Sequence, residues 1–187
     1  MIELVRPTSL LADAWWEMVD EFGVAPIHGS AYRPDDRAEL ERPGGLEVWV
    51  DLLASYEVPG TALPGGWVPA SYRWILDDDR LVGTITVRHR LTDVLLVVGG
   101  HIGYAVRPSA RRRGVATAAL RLALDLAARL GIDPALVTCE EDNVASARTI
   151  EANGGVQEDV RGTSVRYWVP TVRPARTAGA VGGERHT

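Results

Sequence analysis

Apolar and polar positions alternate at the start of the chain, where Ile2 and Leu4 sit among polar neighbours and predict a short strand. The run LLADAWWEMVDEFG then shows helical spacing and predicts a helix that stops at Gly23. From Ala25 to Gly45 no period holds, and a loop-rich stretch is expected. Helical spacing resumes with Leu46, Trp49, Leu52 and Leu53, until the glycines and prolines of TALPGGWVPA break it. The stretch SYRWILDDDRLVGTITVRHRL predicts two strands around a turn at Asp77–Asp79, with Ile85 and Val87 alternating against Thr84, Thr86 and Arg88. The pattern of TDVLLVVGG decides for neither helix nor strand.

Beyond it, HIGYAVRP predicts a strand stopped by Pro108. A long helix follows from near Arg112 to Gly131, then a strand in PALVTCE, a helix in NVASARTIEANGG and a closing hairpin in VQEDVRGTSVRYWV. In the long helix Arg113, Thr117, Arg121, Asp125 and Arg129 step by four, and Val115, Ala119, Leu122 and Leu126 form the apolar stripe expected to be buried. Arg121, Asp125 and Arg129 are expected to form ion pairs of about 0.2–0.5 kcal/mol each. No internal repeat is present. The stretch from Pro170 to Thr187 has no period, so a single domain over residues 1–169 and a disordered tail over 170–187 are expected.

Composition narrows the function. A chain of 187 residues with 46% hydrophobic and 24% charged positions suits one domain with a sizeable core. The net charge of -5 argues against general attraction to nucleic acid or to an anionic membrane, so any anion must be held locally. Cys139 is the only cysteine, which excludes an intrachain disulfide and a multi-cysteine zinc site; no metal is expected. The chain starts without a basic segment followed by an apolar one, and VLLVV at Val94–Val98 is far short of the ~20 residues that span a bilayer. A cytoplasmic protein without membrane contact is the expectation.

Against that acidic balance, RPSARRRGVATAAL packs three arginines before a glycine at the start of the long helix. Backbone N–H groups at such a start have no helical partner and point along the positive end of the dipole. With small residues at Gly114, Val115 and Ala116 admitting close approach, the segment makes an anion cradle. The plain alternative is a solvated basic turn. Arginines oppose the dipole at a helix start, however, so stability alone favours acidic residues there. A P-loop needs Lys then Ser or Thr after its second glycine, and a dinucleotide fingerprint needs three spaced glycines; neither pattern is present.

Arg111-Arg112-Arg113-Gly114-Val115-Ala116 resembles the acyl-CoA pyrophosphate loop of the GNAT N-acyltransferase superfamily: Gln or Arg, two residues, Gly, one residue, then Gly or Ala. YAVRP resembles the family's strand end before that loop, and DNVASARTIEANGG resembles its later helix, with Asn143, Ser146 and Gly154 in place. The order of elements is also similar, and GGWVPASYRWIL, GGHIGYAVRPS and RYW resemble a bacterial branch of the superfamily. The resemblance implies an α/β (α+β) fold with a central mixed, mostly antiparallel sheet, splayed at the acyl-CoA site and flanked by helices on both faces. It implies acetyl-CoA as co-substrate, held by Tyr104, Ala105 and Val106 on the strand. Arg111, Arg112, Arg113, Gly114, Val115, Ala116 and Thr117 would hold it in the loop, and Asn143 and Ser146 on the later helix.

The implied chemistry is direct attack of an amine on the acetyl thioester. An ammonium with a pKa of ~10 must first lose a proton, and the oxyanion needs a donor, by resemblance a backbone N–H around Val106. Two family side chains are missing: the tyrosine acid seven residues after the Asn is Ile150 here, and the glutamate base five before it is Thr138. Glu140, on the same strand face as Thr138, is a candidate base, with His101 and His89 as alternatives. Each also has a structural reading, and so does Asn143, which can cap its helix unless Asp142 does. Cys139 is expected to be a buried strand residue. Trp67, Tyr72, Trp74, Tyr167 and Trp168 are expected in the core, with Trp67 also placed to line an acceptor pocket. A small-molecule amine is the expected acceptor, with a protein N-terminus or lysine, or a non-catalytic acyl-CoA-binding module, as alternatives; a homodimer stays open.

Overall fold

The computed structural model describes residues 1–172. Seven strands form one sheet in the order β1-β2-β3-β4-β5-β7-β6. They are β1 (Ile2–Val5), β2 (Ala70–Asp77), β3 (Arg80–Arg88), β4 (Ile102–Val106), β5 (Ala135–Glu140), β6 (Val156–Arg161) and β7 (Ser164–Val169). Every neighbouring pair is antiparallel except β4 and β5. The helices are α1 (Ala12–Phe22), α2 (Arg37–Leu40), α3 (Gly45–Ser55), α4 (Asp93–Val97), α5 (Val115–Arg129) and α6 (Val144–Ala152). This is the mixed, mostly antiparallel α/β arrangement expected. Helix α2 lies in the stretch predicted as loop, and α4 resolves TDVLLVVGG as a single capped turn in which Thr92 Oγ1 accepts from Leu95 N–H at 3.3 Å. No helix among the described residues is long and apolar enough to cross a membrane.

Strand alternation divides the core in two. Ile75, Ile85, Val87 and Ile102 pack with Val115, Ala119, Leu120 and Ala123 of α5 on one face. Trp74 and Leu81 pack with Trp15, Met18, Trp49 and Leu53 of α1 and α3 on the other. There the Trp15 and Trp74 rings stack, with centroids 5.0 Å apart and planes 7° from parallel.

Two expectations about α5 need correction. It begins at Val115 rather than near Arg112, because Arg112 and Gly114 both take positive φ (59° and 78°) after a 3-10 turn at Pro108–Ala110. Its buried positions are Val115, Ala119, Leu120, Ala123, Leu124 and Ala127, while Leu122 and Leu126 are only half-buried. Packed against both the sheet and α6, the helix buries a wider face than one stripe. Arg121 and Asp125 pair at 2.9 Å, whereas Asp125–Arg129 is not among the described ion pairs.

The domain boundary also moves. Thr171 is buried, its N–H donating to Asp133 Oδ1 at 2.8 Å and its hydroxyl to the Ile132 carbonyl at 2.7 Å. Thr171 is therefore fastened to the folded unit; residues 173–187 of the expected tail lie outside the described residues. Thr171→Val is expected to cost about 1 kcal/mol in a denaturant melt, because the Ile132 carbonyl loses its donor.

Candidate active site

β4 and β5 share one bridge, Ile102↔Val137, whereas β4 pairs with β3 along its whole length and β5 with β7 along its own. The Arg88 N–H donates to the His101 carbonyl at 2.7 Å and the Arg107 N–H to the Val82 carbonyl at 2.9 Å. Odd-numbered residues of β4 thus bond to β3, and Ile102, Tyr104 and Val106 turn their N–H and C=O groups towards β5. Past Ile102 the strands part, so the N–H groups of Tyr104 and Val106 border an open cleft. The Val106 carbonyl is met there by Arg111, whose Nε donates to it at 2.9 Å.

The loop from Arg111 to Thr117 closes one end of this cleft. Helical bonding in α5 starts only with Ala118 N–H to the Gly114 carbonyl, at 3.0 Å. Among the described residues none accepts from the N–H groups of Arg112, Arg113, Gly114, Val115, Ala116 or Thr117. Six consecutive donors at the positive end of a long helix suit a pyrophosphate. A Cβ built on Gly114 would meet nothing within 4 Å, so the space above it is open. The three arginines differ in their surroundings. The Arg111 guanidinium lies 5.9 Å from the Phe22 ring centre and Arg113 reaches Asp77 at 3.3 Å, whereas Arg112 has no partner among the described ion pairs.

Helix α6 faces the cleft from β5. Asn143, not Asp142, is its N-cap: Oδ1 accepts from the Ser146 N–H at 3.0 Å, leaving the amide NH2 for a ligand. Ser146 Oγ lies 2.8 Å from the Tyr104 hydroxyl, joining β4 to α6 across the cleft, and burial pushes the Tyr104 pKa up to about 12. Cys139 is buried beside them, and burial raises its thiol pKa.

The two catalytic candidates lie apart. Val137 and Cys139 face α5 and α6, so Thr138 and Glu140 project to the opposite face, where Glu140 is exposed at the strand end. His101 sits at the closed end of the cleft beside Leu136, about 13 Å along β5 from Glu140 by strand rise. Its Nδ1 accepts from the Leu136 N–H at 2.9 Å, and burial lowers its pKa to about 4. That bond makes His101 a clip between β4 and β5. His89 Nε2 is likewise engaged, 2.9 Å from Ser71 Oγ.

Sequence reasoning missed the cluster that anchors the loop. Arg107 is buried, and its guanidinium binds Glu17 at 2.6 Å, Glu21, and the Leu81 carbonyl at 3.2 Å. Glu21 also accepts from Ser109, so α1 grips the turn that leads into the loop. Only the carboxylate spacing in α1, one turn apart, hints at it beforehand.

On the face of α1 and α3, a cavity of about 280 Å³ opens between β2, β3, α4 and two loops, lined by Gly29, Trp67, Tyr72, Thr86, Arg88 and Leu95 among others. Gly29 (φ 82°) lets the loop after α1 lie on β4, since a Cβ there would come 2.3 Å from the Gly103 carbonyl oxygen. A second cavity of about 630 Å³ adjoins it through Ala31 and Trp67 and carries Arg33, Asp36, Glu39 and Arg42.

A parting of two parallel strands, a run of N–H donors without partners at its mouth and a cavity on the face of α1 and α3 make up the candidate site. The sequence matches the family model described as an acetyltransferase (GNAT) domain over residues 51–156, and the chain belongs to that family. It is an acyltransferase carrying an acetyltransferase domain. A comparison with curated protein sequences finds no match. Among solved structures, the fold is similar to an acetyltransferase from Salmonella typhimurium that modifies the N-terminal serine of the 50S ribosomal subunit protein L7/L12, with 16% identity, 92% of this chain and 95% of that one covered, and a TM-score of 0.59. The microcin C7 self-immunity acetyltransferase MccE, solved with acetyl-CoA and AMP, gives 16% identity, 90% of each chain and a TM-score of 0.59. The N-acetyltransferase PseH of Campylobacter jejuni, solved with acetyl coenzyme A, gives 12% identity, 91% and 99% coverage and a TM-score of 0.55. At these identities the likeness establishes the fold.

Proposed function

We propose that this chain transfers the acetyl group of acetyl-CoA to a primary amine of a small molecule by direct attack in a ternary complex. The observation that carries the choice of acceptor is the cavity of about 280 Å³ walled by β2, β3 and α4, a volume suited to a metabolite. The larger cavity next to it mixes Arg33 and Arg42 with Asp36 and Glu39, so it lacks the run of acidic side chains that would draw in a peptide N-terminus or lysine.

In this reading the six loop N–H groups and Arg112 hold the pyrophosphate, and the Asn143 amide bonds the pantetheine arm. Glu140, through a water, takes the proton of the ammonium. The amine nitrogen then forms its bond to the thioester carbon, and the Val106 N–H receives the oxyanion. Collapse breaks the C–S bond and releases the CoA thiolate, and the second proton on the nitrogen passes through the water to solvent. Tyr104 supplies the proton that Ile150 cannot, its phenol kept protonated by burial and linked to Ser146.

The test is thiol release from acetyl-CoA across a panel of amines. Turnover with small amines and none with peptides is expected; CoA binding without turnover would support a non-catalytic module instead. Tyr104→Phe is expected to lower kcat about 100-fold with the KM for acetyl-CoA little changed. A kcat equal to wild type would remove Tyr104 from proton transfer.

A further inference from the structure

The half-buried and buried arginines outside the smaller cavity have carboxylate partners. Arg107 holds Glu17 and Glu21, Arg166 holds Glu158 and Asp159, Arg73 holds Glu57, Arg37 holds Asp20 and Glu41, and Arg121 holds Asp125. Arg88 has none among the described residues. Its Nη1 donates to the carbonyls of Gly99 and Gly100, both at 3.0 Å, which fixes the guanidinium without neutralising it. Its Nη2 lies over Gly103, 3.5 Å from where a Cβ would stand. Thr86, paired with Gly103 across the strands, is 2% exposed, and its hydroxyl has no hydrogen-bond partner. Arg88 and Thr86 both line the cavity.

A desolvated cation and a buried hydroxyl left unsatisfied each cost stability, and both are relieved by one anion that accepts from both. We infer that Arg88 and Thr86 form a carboxylate subsite, so that the amine acetylated by this chain is one that carries a carboxylate. This rests on the small-molecule reading above. A guanidinium edge matches the two oxygens of a carboxylate, and a single cation balances its single charge better than that of a phosphate dianion. Tyr72 in the cavity wall and His101, whose carbonyl pairs with the Arg88 N–H, are neutral at pH 7: burial pushes the Tyr72 pKa up to about 12 and lowers the His101 pKa to about 4. No Asp or Glu lines the cavity, so nothing there holds an ammonium. Trp67 and Tyr72 supply apolar walls for the carbon skeleton.

The test compares each of the twenty amino acids with its carboxamide as acceptor, on wild type, Arg88→Gln and Thr86→Val. Wild type is expected to prefer acids, and Arg88→Gln to raise the KM for the best acid about 10- to 100-fold while leaving its amide and acetyl-CoA unaffected. Thr86→Val keeps shape and removes an unsatisfied hydroxyl, so it is expected to raise that KM about 3- to 10-fold without lowering the melting temperature. It therefore remains informative if Arg88→Gln does not fold. Equal use of acid and amide by wild type, or equal losses on both in the variants, would overturn the subsite and leave the transferase reading intact. If no amine is turned over, the CoA-saturated protein is titrated with N-acetyl amino acids and their amides by tryptophan fluorescence. Binding of the acids that depends on Thr86 or Arg88 then supports the subsite against the transferase reading, and no binding overturns the subsite.

Discussion

Arg107→Met will destabilise the protein by about 2–3 kcal/mol in a denaturant melt. Removing one partner of a fully buried ion pair costs about 3–5 kcal/mol. Here the guanidinium is buried, with a side chain 3% exposed, while the carboxylates reach solvent, Glu17 at 63% and Glu21 at 23%, which lowers the cost. The loss will extend to function, because Glu21 also holds Ser109 at the entry to the loop, so CoA affinity will fall along with stability. The pH dependence has a definite sign. The Arg107 hydrogen bond holds the Glu17 pKa below its ordinary value. Burial pushes the Glu21 pKa up, but the Ser109 and Arg107 bonds outweigh it and the net shift is downward. Lowered carboxylate pKa values stabilise the fold above the unfolded value of about 4.3, and that contribution disappears as pH falls through the folded values. Wild type will lose stability in that acid window more steeply than Arg107→Met; equal slopes in both proteins would show that the cluster does not fasten α1 to β4.

Gly114→Val will weaken CoA binding by at least about 30-fold, the equivalent of one or two charge-assisted hydrogen bonds. It will also cost about 1–2 kcal/mol of stability, since Gly114 sits at φ 78° and a β-branched residue resists that region. The two effects separate cleanly. A side chain at Gly114 meets no atom of the protein within 4 Å, so the stability cost is conformational, and a clash arises only when an anion rests on the loop. Gly114→Ala will show most of the stability cost and less of the affinity loss. A Gly114→Val protein that is folded and binds CoA like wild type would mean that the anion lies elsewhere.

What the sequence disclosed and what it hid follow from how far apart the interacting residues lie. The loop from Arg111 to Thr117 was legible because its strand end, glycine and helix start are contiguous, and local rules govern each. The strands and long helices were legible from their periods for the same reason. The start of α5 was misplaced because the positive φ of Arg112 is set by the loop and leaves no trace in hydropathy. Asn143 and Asp142 are both good caps, and only the backbone geometry shows that Asn143 takes the role. The Arg107 cluster joins residues 86 and 90 positions apart, and no pattern along the chain connects them. The carboxylate subsite was hidden in the same way: Thr86 and Arg88 appeared only as the polar half of an alternating strand. Their meaning comes from the absence of a partner, which sequence cannot display. Thr171 lies in a stretch without periodicity, yet it is fixed by Ile132 and Asp133, far away in the chain.

The central claim is that the unpaired N–H groups from Arg112 to Thr117 receive the pyrophosphate of acetyl-CoA. The most direct measurement is the backbone amide NMR spectrum of the labelled protein, titrated with CoA and, separately, with pantetheine, which lacks the pyrophosphate. CoA is expected to move the amide resonances of Arg112, Arg113, Gly114, Val115, Ala116 and Thr117 strongly downfield and to slow their hydrogen exchange, while pantetheine leaves them in place and shifts only Tyr104, Val106 and the start of α6. Saturation with CoA that leaves those six amides unmoved would contradict the account.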